Sequence, residues 1–347
     1  MKTLRRTVAV LLAVLVLTAL RTLYLSGTFT SLSPINTGKE QQIKGMIGAE
    51  DIAIDPASGL ALVSSDDRRK TRAGKPVRGA IYQLDFQAKP ARIRNLSEAS
   101  APADFHPHGI SLFTDPGDSS KWLFVVNHTQ AGPRVERFQY QGDTALVHVE
   151  SIQHEAIKSP NDLVADSRYS FYFTNDHDEE GGVSTWKDFL VIGTGQVGYF
   201  DGKKAEILAK GIRYANGINL SPDGKRLYIA ACTDRSVLVF QRSPFRQIQK
   251  IKCGTAVDNL EWDEDGNLWA GAHPKMLAFL GHAQDPGKRS PSQVLRIDLS
   301  DPQVPRVETR YLNLGDPLSG SSVAAFYKGT LLIGGVFDDG VLLLEGQ

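Results

Sequence analysis

Hydrophobic and polar positions between Tyr214 and Ala230 follow a two-residue beat broken by a turn. Ile218 and Leu220 alternate with polar neighbours, Ser221-Pro222-Asp223-Gly224 supplies turn chemistry, and Leu227 to Ala230 is a β-forming run. The pattern predicts a strand, a tight turn and a second strand, with the amide Asn216 just ahead of the first. The same grammar occurs six times. Its polar starts are Glu50-Asp51, His108, Asn161-Asp162, Asn216, Asp258-Asn259 and Ser321-Ser322, each followed by a short apolar stretch, a turn and a second apolar run. Successive starts lie roughly 40 to 65 residues apart, and four short strands with their loops need about 40 to 50. Six such units predict an all-β fold, a six-bladed β-propeller over residues 38–347.

The two ends of the repeat array bear on ring closure. The last unit offers only three runs, Val323 to Phe326, Leu331 to Ile333 and Val341 to Leu344. The stretch Gln41 to Ile47, ahead of the first unit, is available as a fourth strand, and an N-terminal strand there would cover an open sheet edge. Upstream the pattern changes. Lys2, Arg5 and Arg6 precede a mostly aliphatic run, Val8 to Leu20, which predicts a hydrophobic helix within residues 1–25 acting as a signal peptide or an uncleaved anchor. Arg21 interrupts the run, and Leu23 to Leu25 extend it if that side chain snorkels. Both readings export the propeller, secreted or membrane-anchored through residues 8–25. Residues 26–37, polar with Pro34, read as a linker.

Charge and cysteine content narrow the classes. The 347 residues carry a formal net charge of zero, which gives no electrostatic case for a nucleic-acid partner. Cys232 and Cys253 flank an intervening strand, Val237 to Phe240, so two strand spacings separate them, too far for a disulfide. Gly193-Thr-Gly195-Gln-Val-Gly198 spells a dinucleotide fingerprint, but Tyr199-Phe-Asp-Gly-Lys leaves no room for the helix it needs, and a hairpin is expected instead. No Gly-x-Ser-x-Gly elbow is present. Asn95-Leu-Ser and Asn127-His-Thr have the form of glycosylation acceptors.

In a propeller the innermost strand of each blade lines a central channel, and equivalent strand starts converge at one end of it. Glu50, Asp51, His108, Asn161, Asp162, Asn216, Asp258 and Asn259 would therefore meet. Four carboxylates crowded together repel one another and must be desolvated. A hard cation resolves the conflict, and a mixed carboxylate and amide oxygen set suits Ca²⁺ better than zinc.

Longer motifs add a resemblance. Phe105 to Asp115, Leu123 to His128, Pro160-Asn-Asp162, Phe173 to His177, Ala215 to Lys225 and Val257-Asp-Asn259 resemble the serum paraoxonase/arylesterase family from about Gly48 to Leu344. The resemblance implies a six-bladed propeller with two channel calcium ions, hydrolysing lactones and aryl esters. It implies a catalytic calcium bound by Glu50, Asn161, Asn216, Asp258 and Asn259, and a deeper, structural one held by Asp51, Asp162 and the main-chain carbonyl of Ile110. His108 matches the family's water-activating base, His128 its supporting partner, and His273 another histidine at the pocket mouth. On this reading His108 takes a proton from water if it is neutral near pH 7, and a metal-bound carboxylate, Glu50 or Asp258, is the rival base. A calcium-binding propeller that performs no hydrolysis, serving as a binding scaffold, is the alternative function. Two features depart from the family: no cysteine lies near either end to tie the ring, and the rim segment 178–187 is more acidic and Gly-rich.

Overall fold

The structure is a computed structural model that describes residues 2–142, 144–178, 187, 190 and 192–346. Twenty-four strands form six four-stranded antiparallel sheets. Five sheets take four consecutive strands each, β2 (Ala49–Ile54) to β5 (Arg92–Asn95), β6 (Pro107–Thr114) to β9 (Leu146–Ile152), β10 (Pro160–Ala165) to β13 (Ala205–Ile212), β14 (Ala215–Leu220) to β17 (Arg246–Lys252) and β18 (Ala256–Trp262) to β21 (Arg306–Asn313). The inner strands are β2 (Ala49–Ile54), β6 (Pro107–Thr114), β10 (Pro160–Ala165), β14 (Ala215–Leu220), β18 (Ala256–Trp262) and β22 (Ser321–Tyr327). Each begins within two residues of a polar start read from the sequence.

The sixth sheet has the order β1 (Lys39–Ile47), β24 (Asp339–Glu345), β23 (Thr330–Gly335), β22. Strand β1 (Lys39–Ile47) lies antiparallel to β24 (Asp339–Glu345), with Lys39 opposite Glu345 and Ile43 opposite Val341. The chain's N-terminal strand thus completes the last blade and closes the ring, two residues longer than the expected Gln41 to Ile47. Ile43 and Met46 of β1 join one core cluster with Ile52, Val63 and Leu84 of the first blade and Val323, Leu332 and Leu343 of the sixth. Burying each such side chain is worth about 1.5–3 kcal/mol. Apolar packing and strand pairing hold the seam, and neither cysteine forms a disulfide.

Burial falls from the channel outward. Every residue of β10 is buried, whereas β17 (Arg246–Lys252) is exposed over most of its length. Blades pack face to face, so inner strands bury both faces and outer strands reach solvent. Residues 195–200 form a strand, β12, paired with β13 (Ala205–Ile212), the hairpin expected in place of a nucleotide loop.

Helix α1 (Lys2–Leu25) has no buried residue and is long and apolar enough to cross a membrane. It continues through Arg21, whose guanidinium donates to the Leu190 carbonyl. The following segment is docked on the propeller. Ser26 accepts from the Met276 N–H at 2.9 Å, Lys275 Nζ donates to Thr28, and Ile35 bridges to Leu312. Two further helices border the channel mouth, α2 (Arg68–Arg72) and α3 (Met276–Gln284).

Candidate active site

All six inner strands break register with their neighbour at the same place, just after the polar start. The shifts fall between Ala49 and Asp51, Pro107 and Ile110, Pro160 and Leu163, Ala215 and Ile218, Val257 and Leu260, and Ser321 and Val323. In a regular strand consecutive side chains point to opposite faces; a bulge re-aims them. Here Glu50 and Asp51 both serve the axis. Glu50 Oε1 accepts from Asn259 Nδ2 at 2.9 Å, and Asp51 Oδ2 accepts from the Ile110 N–H of the next inner strand at 2.7 Å. The two glycines of this slot allow the approach. A Cβ on Gly109 would lie 2.6 Å from Asp162 Cα, and one on Gly217 would lie 2.7 Å from Asn259 Cα.

Glu50, Asn161, Asn216, Asp258 and Asn259 are all buried. Four of their oxygens, Glu50 Oε2, Asn161 Oδ1, Asn216 Oδ1 and Asn259 Oδ1, have no hydrogen-bond partner. Buried side-chain oxygens are almost always satisfied, and each orphan costs about 1–3 kcal/mol. Orphans that come from four blades, three of them on residues lining one pocket, mark a place where a hard cation fits. Among the described residues no three His, Cys, Asp or Glu side chains make a chelating group by themselves. A cation held here would need the amide oxygens as well, a mixed donor set that suits calcium better than zinc.

Deeper in the channel Asp51 and Asp162 accept backbone N–H groups at both oxygens. Asp51 takes them from Ile52 and Ile110, and Asp162 from Leu163 and Ile218. This set has no orphaned oxygen, and Ile110 meets Asp51 through its N–H. Repulsion is the signal here. Burial pushes the Asp51 carboxyl up to about 7 and Glu50 to about 8, with Asp258 adding to both. Asp162 is held well above the carboxylate range by burial and by Asp51. A further carboxyl, Glu261, is raised in the same way by burial and then Asp51. Sequence reasoning passed over Glu261, although it stands two residues beyond Asn259 on β18 and so shares its strand face.

The histidines separate. His108 lines the pocket, with Nε2 3.6 Å from Glu50 Oε1, and burial followed by the Arg68 charge holds it well below its ordinary pKa. His128 meets it edge to face, ring centroids 5.1 Å apart at 90°, and among the described residues no hydrogen bond joins the two rings. The partner of His108 Nδ1 is instead Arg68 Nη2 at 3.1 Å, a residue that no sequence motif marked. His273 lines the pocket as expected; its Nε2 lies 2.7 Å from Asp258 Oδ2, and its ring stacks on Phe279. Asn127 is fully buried, its amide bound to Asp104 and Glu136, so it is no glycosylation acceptor in the folded chain.

Above this polar floor the cavity, about 250 Å³, is walled by Leu25, Met276, Phe279, Leu280, Val336 and Phe337. The end of the N-terminal helix therefore lines the same pocket as the channel residues. Of the rim segment 178–187, only Asp178 and Lys187 lie within the described residues, and they pair at 3.4 Å.

The family model described as Arylesterase matches residues 31–343. Serum paraoxonase/arylesterase 1 of Homo sapiens is 35% identical over 321 residues, covering 88% of this chain and 88% of that protein. Serum paraoxonase/arylesterase 2 of Gallus gallus is 37% identical over 308 residues, 85% of each chain. Among solved structures, a luciferin-regenerating enzyme superposes with a TM-score of 0.56 at 14% identity, covering 89% of this chain and 96% of that one. Regucalcin, a calcium-binding protein from Agrobacterium tumefaciens str. C58, gives 0.52 at 14% identity, covering 91% and 96%. Those two likenesses establish the fold alone. With one family model matched across almost the whole propeller, and relatives more than a third identical over the same span, the chain belongs to the arylesterase family, carboxylic ester hydrolases by name.

Proposed function

We propose that the protein is a calcium-dependent hydrolase of carboxylic esters, with lactones and aryl esters as its substrate class. The supporting observation is the set of four orphaned, buried oxygens, Glu50 Oε2, Asn161 Oδ1, Asn216 Oδ1 and Asn259 Oδ1, the first three on residues at the floor of an apolar-walled pocket. With Asp258 these residues would hold the catalytic calcium, and Asp51, Asp162 and the Ile110 carbonyl a structural one. Bound at the floor, a divalent cation supplies Lewis-acid polarisation of an ester carbonyl. The walls receive the acyl or aryl body and exclude water, which strengthens the electrostatics beneath them.

His108 is the imidazole that meets the reacting centre, with the His128 ring perpendicular to it. The proton of the attacking water is taken by His108 or by a buried carboxylate, Glu50 or Asp258. The missing His108–His128 hydrogen bond favours the carboxylate. Helix α1 supports export, with the propeller held at a membrane or released after cleavage.

Turnover of phenyl acetate and of an aliphatic lactone, each with and without a chelator, tests this reading. Activity should vanish with chelator and return with calcium. Metal uptake with no turnover of either ester would instead support a calcium-binding scaffold. A folded sample that takes up no calcium and hydrolyses both esters would end the metal reading.

A further inference from the structure

We propose that Arg68 fixes His108 in the tautomer that carries its proton on Nε2, so that His108 faces the site as a hydrogen-bond donor. Arg68 is thereby a positioning residue for the reaction.

The argument begins with what a guanidinium can do. It has five N–H donors and no acceptor. Arg68 Nη2 lies 3.1 Å from His108 Nδ1, so Nδ1 supplies the lone pair in that contact. In a neutral imidazole the other nitrogen then carries the hydrogen. Nε2 is 3.6 Å from Glu50 Oε1, too far for a hydrogen bond, so its N–H is left for whatever oxygen enters the gap.

The guanidinium is not free to turn away. Nη2 also donates to the Pro107 carbonyl at 3.0 Å, the carbonyl immediately before His108, and so grips that residue's main chain and ring together. Nη1 donates to the Gly48 carbonyl at 3.2 Å, immediately before the first inner strand begins. The side chain is 11% exposed, and Arg68 opens a helix whose N-cap, Asp67, accepts from the Lys70 N–H. Arg68 therefore ties the starts of two neighbouring inner strands while setting the ring between them. His128 stands perpendicular to the ring, centroids 5.1 Å apart, and among the described residues makes no hydrogen bond to either nitrogen.

The consequence rests on the ester-hydrolase reading above. An imidazole whose Nδ1 is engaged and whose Nε2 is protonated does not accept a proton from water. It donates to an oxygen that gains negative charge as a carbonyl carbon becomes tetrahedral. Proton acceptance then falls to a carboxylate. His273 differs in which nitrogen is engaged: its Nε2 donates to Asp258 Oδ2, and its Nδ1 is buried without a partner.

Proton–nitrogen correlation spectra of the full chain, with ¹⁵N-labelled histidine, read the tautomer directly. The His108 signals are identified by their loss in His108→Gln. The wild type should show the Nε2–H pattern, with and without calcium. Arg68→Met keeps the aliphatic stem and removes the donors, and should give an averaged pattern with kcat for phenyl acetate down about a hundredfold and KM little changed. Arg68→Lys, which restores one donor, should recover part of both. A wild-type ring protonated on Nδ1, or an unchanged spectrum in Arg68→Met, overturns the proposal. If Arg68→Met does not fold, the wild-type spectrum decides alone. An Nε2–H ring in a protein that hydrolyses no ester would leave the Arg68 assignment standing and remove the functional reading instead.

Discussion

Single atoms decide whether the channel can serve as a site. A methyl group on Gly217 would stand 2.5 Å from the Asp258 carbonyl and 2.7 Å from Asn259 Cα, both backbone atoms of the next inner strand. Backbone cannot yield as a flexible side chain does, so Gly217→Ala should displace two of the expected calcium ligands. We expect at least about a tenfold weaker calcium affinity, since even outer-shell changes around a metal cost about 10–100-fold. Isothermal titration would show it, and an unchanged affinity would mean that the strand shifts without moving the ligands. The polar residues of this slot were legible in the sequence because they recur at the start of each repeat. Arg68 and Glu261 were not. Arg68 lies within the first blade, between its second and third strands and outside the strand pair that the repeat marks, and Glu261 has no counterpart carboxylate in the other repeats.

Among the elements, β1 bears the most on the whole ring. Its pairing with β24 brings Lys39 opposite Glu345, residues from the two ends of the propeller. Met46 is fully buried in the cluster shared by the first and sixth blades. Met46→Ala should lower unfolding stability by about 2–5 kcal/mol, the usual result of emptying a packed core site. Urea unfolding measures this, and a loss under about 0.5 kcal/mol, the range of an ordinary surface change, would show that β1 contributes little to closure. The strand was readable from the missing fourth run of the last repeat. The docking of residues 26–37 was not, because the Met276 N–H and the Leu312 bridge that receive it lie far along the chain.

At the scale of the molecule, the channel's carboxyls link folding to protons and to cations. With no ion bound, burial holds Glu50 at about 8 and Asp51 at about 7, far above their values of 4.5 and 3.8 in open water. The folded chain therefore binds protons that the unfolded chain has already released, and stability falls as pH rises through these values. His108, held low, acts in the opposite direction, but its contribution is complete by about pH 7, where an unfolded imidazole is largely neutral. Between about pH 7 and 8.5 the carboxyls set the slope. In chelator the melting temperature should drop across that interval. Calcium at millimolar concentration should flatten or reverse the drop, because the cation competes with the protons. A chelated sample that melts higher at pH 8.5 than at pH 7 would show that these carboxyls do not govern stability.

The amino-acid sequence determined the repeat, the number of blades, the closing strand and the polar residue at each inner-strand start. These are local patterns or fixed spacings, and one chain repeating one unit displays them in order. Tertiary structure alone decided which oxygens are left without partners, which nitrogen of His108 is engaged, and that the end of the N-terminal helix walls the pocket. Those facts depend on groups tens to hundreds of residues apart meeting on one axis, and on bulges that turn consecutive side chains inward against the ordinary alternation of a strand.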